Sequence, residues 1–141
     1  MKKPIVSILV MMALAWSGRA QNVTPQDAAV AGSTFLNQFT TSYRQKSAIN
    51  LELAYIAPLD ELHKSSGDAC YYVFNVKGGG FVIVSASRNI LPVLAYATEG
   101  RFDTAGMPTN FRYLLDAMRE EITDAVVRQI PASESVSSRW D

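Results

Sequence analysis

A single thiol, Cys70, and a single imidazole, His63, are the sequence's only material for nucleophilic catalysis of the cysteine–histidine kind. Such chemistry needs the imidazole within hydrogen-bond reach of the sulfur and the sulfur open to substrate. Cys70 instead opens an apolar run beside Tyr71 and Tyr72, and His63 stands in a polar stretch next to Lys64. The expectation is a small packed thiol and a solvated histidine. The same two side chains do not make a zinc site, because the further His or Cys ligands are missing. Glu120 and Glu121 are neighbours on a predicted helix and diverge around its axis, so with Asp124 they read as a solvated face rather than an acid/base pair. Gly78-Gly79-Gly80 invites a phosphate-loop reading, but such a loop lies between a strand and a helix, with Lys and Ser/Thr following in register. Here the three glycines lie between two predicted strands and supply the positive backbone angles of a tight reversal. No catalytic machinery emerges from these residues; the chemistry they suggest is binding.

The elements that would position such a surface are legible from spacing. Thr24-Pro25, with Asp27 three positions after the threonine, is a helix-start signal. Ala28, Ala31, Phe35 and Phe39 then recur at helical spacing, predicting a helix from Pro25 to about Tyr43, weakened slightly by Gly32. Leu51, Leu53 and Tyr55 alternate with Glu52 and Ala54 as a first strand that Pro58 ends. Ala69 to Val76 is a second, with Tyr72, Phe74 and Val76 on one face and Tyr71, Val73 and Asn75 on the other. Tyr71 and Tyr72 therefore form no stacking platform for bases. Phe81 to Ala86, apolar on both faces, is placed centrally in the sheet, and Val93 to Thr98 is a fourth strand. No helix-length segment separates these strands, so they pair as antiparallel hairpins. The last helix runs from about Thr109 to Arg128, with Phe111, Leu114, Leu115, Met118, Ile122, Ala125 and Val126 on one stripe. The predicted class is α+β: an antiparallel sheet of about four strands packed against an N-terminal and a C-terminal helix. Residues 131–141, with four serines and little apolar content, read as a flexible tail or linker.

Residues 1–20 stand apart. Lys2 and Lys3 precede an apolar stretch from Ile5 to Trp16, and Gly18-Arg19-Ala20 offers small residues at a cleavage point, the pattern of a secretory signal. The expected product is exported, periplasmic or secreted, with no membrane association after cleavage. Lys2, Lys3 and Arg19 leave with the signal, so the remainder carries 10 basic against 13 acidic side chains, near −3. That balance gives no basic stripe for phosphates, and nucleic acid is not an expected partner. One cysteine allows no internal disulfide, so packing must stabilise the domain expected over residues 21–130.

The segments "GGFVIVSAS", "LPVLAYATEGRFD" and "NFRYLLDAMREEI" together resemble the propeptide domain of streptopain-type cysteine peptidases, which also occurs as small stand-alone inhibitors. The resemblance runs from about Val23 to Val127 and is carried most specifically by Gly79 to Ser85 and Gly100 to Asp103. It implies a bacterial exported domain that covers the active-site cleft of a papain-fold peptidase and assists its folding, in cis as part of a zymogen or in trans, with no cofactor and no catalysis of its own. It further implies that an asparagine at the start of the last helix enters the cleft. Alignment of that helix puts this residue at Asn110, with Met107, Thr109 and Phe111 as neighbouring contacts. Ser87 and Ala95 depart from the pattern of the relatives, which often carry an acidic residue and a glycine there. A second reading, an exported module holding a small apolar ligand on the sheet near Tyr72 and Phe74, remains beside the first.

Overall fold

The computed structural model describes residues 22–40, 48–59 and 68–141. The expected signal and His63 lie outside the described residues. Four strands, β1 (Leu51–Pro58), β2 (Ala69–Val76), β3 (Phe81–Ser85) and β4 (Val93–Ala97), form one antiparallel sheet in the order β1-β2-β3-β4. Helix α1 (Pro25–Thr40) covers one face and α2 (Thr109–Val127) the other, as the α+β reading expected.

The two faces follow from the period of the strands. Tyr72, Phe74, Val82 and Val84 point to α1, where they meet Ala28 and Leu36. Tyr71, Val73 and Ile83 point to α2, where they meet Leu115 and Ile122. Both faces of the central pair are thus buried, and each fully covered Val or Ile contributes roughly 1.5–3 kcal/mol relative to exposure. Helix α1 starts where the sequence signalled: the Thr24 hydroxyl accepts from the Asp27 amide at 3.1 Å. Gly32 packs closely on the sheet, since a β-carbon there would lie 3.2 Å from methyl groups of both Val82 and Val84. Its low helix propensity is the cost of that contact.

The β2–β3 reversal is the turn expected of the triple glycine. Gly78, Gly79 and Gly80 all have positive φ, and Val76 and Gly80 close the hairpin with a 2.9 Å bond from the Val76 amide to the Gly80 carbonyl. Gly80 also donates to the Gly100 carbonyl at 2.7 Å, tying the turn to the chain leaving β4.

Two expectations are corrected. Residues 131–141, read as a flexible tail, instead form a short helix α3 (Glu134–Ser137) that Ser133 caps, and Trp140 donates from Nε1 to the Ile90 carbonyl at 2.8 Å. The Arg88 guanidinium lies over the Trp140 ring at 5.5 Å, and the ring joins the cluster on the α1 side of the sheet. One large aromatic supplies most of the apolar area of this serine-rich segment. Leu114, assigned to the buried stripe of α2, is instead 51% exposed, because Phe111, Leu115, Met118 and Ile122 already fill the sheet-facing side. Among the described residues no helix is long and apolar enough to cross a membrane.

Candidate functional site

The connection from β4 to α2 is built from the core outward. Its first anchor is Phe102, buried among aromatic rings: Tyr55 and Phe81 each lie 5.9 Å from it, centroid to centroid, and Phe111 lies 6.3 Å away. Phe111 in turn meets Phe81 at 5.9 Å. The chain therefore leaves the core at Phe102 and re-enters it at Phe111, and the two ends of the intervening loop are in ring contact. That is the geometry of a compact surface loop whose neck is closed by its own side chains.

Polar groups complete the neck. Asn75, 2% exposed at the end of β2, accepts from the Phe102 amide at 2.8 Å and donates from Nδ2 to the Phe102 carbonyl at 3.2 Å. Further along, the Asp103 carboxylate accepts from the Ala105 amide at 2.9 Å and turns the chain. Helix α2 then begins after Pro108, which has no side chain to offer as a cap. One of the free amides of the first turn is taken instead by Asn110, whose Oδ1 accepts from the Phe111 amide at 2.9 Å.

The four residues singled out from sequence are split by this arrangement. Met107 and Phe111 turn inward and pack against the α2-side core. Thr109 and Asn110 are exposed. Beside Asn110 stand two side chains that spacing arguments had not picked out as a surface: Tyr113, 72% exposed, and Leu114. The signal for them was present, since Asn110, Tyr113, Leu114 and Ala117 recur at helical spacing as a second stripe, on a different side of α2 from Phe111 and Leu115.

Cys70 sits elsewhere, at the foot of β2 under α2, and is 1% exposed. Burial pushes its thiol up to about 12, partly opposed by the Arg119 charge, and its sulfur lies 3.9 Å from the Arg119 carbonyl as a weak donor. At neutral pH this is a protonated core thiol, as the apolar surroundings in the sequence predicted. The neighbouring Tyr71 hydroxyl is raised as well, first by burial and then by Tyr55 and Cys70. Tyr72 and Phe74, the proposed seat of an apolar ligand, are buried beneath α1, and the Tyr72 hydroxyl donates to the Val23 carbonyl at 2.8 Å. That side of the sheet is filled by the chain's own core.

With this geometry in hand, the comparison with known families is decisive: residues 20–122 match the profile described as Spi protease inhibitor. The chain belongs to the Spi protease inhibitor family. The matched range contains the whole sheet, the β4–α2 loop and the first turns of α2. The sequence is also 38% identical over 53 residues to streptopain of Streptococcus pyogenes, and to the same extent to streptopain of S. pyogenes serotype M1. Those 53 residues are 38% of this chain and only 13% of the length of either relative.

Proposed function

We propose that this member of the protease-inhibitor family inhibits a streptopain-like cysteine peptidase of papain fold by steric occlusion of the active-site cleft. The loop from Arg101 to Asn110 and the outward stripe of α2 form the contact surface. Asn110 enters the cleft, where its amide supplies directional hydrogen bonds. Tyr113 and Leu114 supply apolar anchors beside it, and Thr109 lies at the rim. Met107 and Phe111, expected as contacts, act from beneath by holding the helix start in place. The domain acts in trans or as the front of a zymogen, assists folding of its enzyme in the second case, and works in an exported compartment without a cofactor.

The observation that carries this reading is the contrast between the two sides of one helical turn. Phe111 is locked among the aromatic rings while Asn110, Tyr113 and Leu114 face solvent. A side chain presented from such a base loses little conformational freedom on binding. The ligand-binding alternative lacks this support, because its supposed seat at Tyr72 and Phe74 is already occupied.

The test is Asn110→Ala, assayed for inhibition and thermal stability on one sample. Loss of hydrogen bonds in a desolvated cleft weakens inhibition by about 1–3 kcal/mol, roughly five- to a hundredfold. Stability falls by no more than about 1 kcal/mol, since the bond its side chain makes, to the Phe111 amide, is exposed to water. Inhibition that survives unchanged while stability drops would reduce Asn110 to a helix-end residue and refute its insertion.

A further inference from the structure

We infer that Asn75 is the positioning residue of the inhibitory loop, setting the rate at which the loop engages its target although it never touches that target. That role rests on the proposed peptidase binding of the loop, and Asn75 acts on it from the buried side of the neck.

Asn75 is an anomaly in its strand. It faces the α2 side between Glu52 of β1, whose side chain is exposed, and Phe81 of β3. The rings of Tyr55, Phe81, Phe102 and Phe111 wall this end of the sheet, and an aliphatic side chain would bury more favourably there. A carboxamide buried there is tolerated only if both of its polar atoms are matched. Both are, and by a single residue: Oδ1 takes the Phe102 amide proton at 2.8 Å and Nδ2 gives to the Phe102 carbonyl at 3.2 Å. The amide proton fixes which end of the carboxamide is oxygen, so the pairing has one orientation. In effect Asn75 extends the hydrogen bonding of the sheet to a residue beyond the end of β4, over a separation of 27 positions.

The consequence runs through ring contacts to the exposed surface. Phe102 held in place gives Phe111 a fixed wall at 6.3 Å, and Phe111 is the inward neighbour of Asn110 in the first turn of α2. Without the clamp, the Gly80–Gly100 bond and the exposed Arg101–Glu52 pair still hold the chain just before the neck, but Phe102 itself keeps only ring contacts, which define separation but not direction. The loop then samples several arrangements, and the apparent affinity is divided by the fraction that is competent. A population effect of this kind appears in association, whereas loss of a direct contact appears mainly in dissociation.

The experiment measures association and dissociation rate constants of the full chain with a streptopain-type cysteine peptidase for wild type, Asn75→Ala, Asn75→Asp and Asn110→Ala. Each is corrected for folded fraction by titration against active enzyme. Two lost hydrogen bonds correspond to roughly a tenfold or larger drop in competent population. The expected result is that fall in the association constant for Asn75→Ala with dissociation nearly unchanged. Asn75→Asp keeps the volume and the acceptor for the Phe102 amide but replaces the donor, and is expected to fall in the same direction. Asn110→Ala shows the opposite split, with faster dissociation. Wild-type rate constants for the folded fraction of both Asn75 variants would overturn the inference while leaving the functional reading intact. So would a loss appearing in dissociation alone. If neither variant folds, Asn75 belongs to the fold and not to the loop. Absence of inhibition by wild type would overturn the functional reading itself, and this inference with it.

Discussion

Gly80→Ala tests whether the triple-glycine turn does more than reverse the chain. Gly79 and Gly80 have positive φ values of 116° and 96°, so an alanine at either adopts a backbone region that L-residues disfavour, at about 1–2 kcal/mol. Their surroundings differ. A β-carbon on Gly79 meets nothing within 4 Å, whereas one on Gly80 would lie 2.4 Å from the Ala97 carbonyl oxygen. That oxygen is main chain at the end of β4 and cannot rotate away, so the strand exit must shift, an overpacking cost of about 1–3 kcal/mol more. Gly80→Ala is thus expected to lose about 2–5 kcal/mol and Gly79→Ala about 1–2, with a melting shift of roughly 3–5 °C per kcal/mol for a domain of this size. Thermal and urea melts of both variants measure the difference directly. The displaced strand end also carries Gly100, whose carbonyl accepts from Gly80 at 2.7 Å, so Gly80→Ala should weaken inhibition beyond its effect on folded fraction. Equal destabilisation by the two substitutions would refute the steric argument and leave only the backbone preference.

Further outcomes follow from the core and the C-terminal segment. Cys70, with its thiol pushed up to about 12, should resist alkylation at pH 7–8 in the folded chain and react promptly after unfolding; rapid reaction in the native state would contradict its burial. Because the folded thiol holds its proton to higher pH than the unfolded one, its contribution is complete below about pH 8.5 and declines above it, by up to about 1.4 kcal/mol per pH unit, with Tyr71 adding in the same direction. Alkaline melts read this slope. Trp140→Ala removes the bond to Ile90 and the ring's packing, for an expected loss of about 1–3 kcal/mol and faster tryptic cleavage at Arg139; an unchanged melt and cleavage rate would show the segment undocked in solution.

What was legible in the sequence is what depends on near neighbours. The Thr24 cap, the alternation of β2, the two-sided burial of β3 and the glycine turn are local patterns, and the structure repeats them. What was not legible depends on partners far along the chain. Trp140 finds the Ile90 carbonyl 50 residues away, so its own segment, poor in apolar residues, looked unstructured. Even so, Ala132, just before the capping Ser133, and Val136 and Trp140 after it fall four apart, and they are the half-buried residues of that segment. Asn75 looked like the polar end of a strand until Phe102 was seen beside it. Leu114 failed for a different reason: it follows Tyr113 and precedes Leu115 in a run of large side chains. Consecutive residues on a helix point about 100° apart, so a single sheet face cannot cover all three. An apolar run in a helix therefore fixes that something is buried without fixing which member is left out.

That leftover member bears on function. Tyr113 and Leu114 are exposed side by side on α2 and do not cover the sheet, and the proposed function uses them as anchors. They lie beside Asn110, at the end of α2 that the aromatic neck holds fixed, and the remainder of the outward side turns acidic at Glu120, Glu121 and Asp124. On the proposed function, the apolar side chains next to the rigid turn form the contact region of the helix and the charged stretch after them stays solvated. Double-mutant cycles pairing Asn110→Ala with Tyr113→Ala and with Glu121→Ala give the sharpest check of that division. Side chains sharing one desolvated contact couple by about 0.5–3 kcal/mol, and separated ones add within about 0.5. Coupling in inhibition is expected for the first pair and absent from the second. Additivity in both would mean that Tyr113 is not part of the same contact, and the occluding surface would have to be sought on the loop alone.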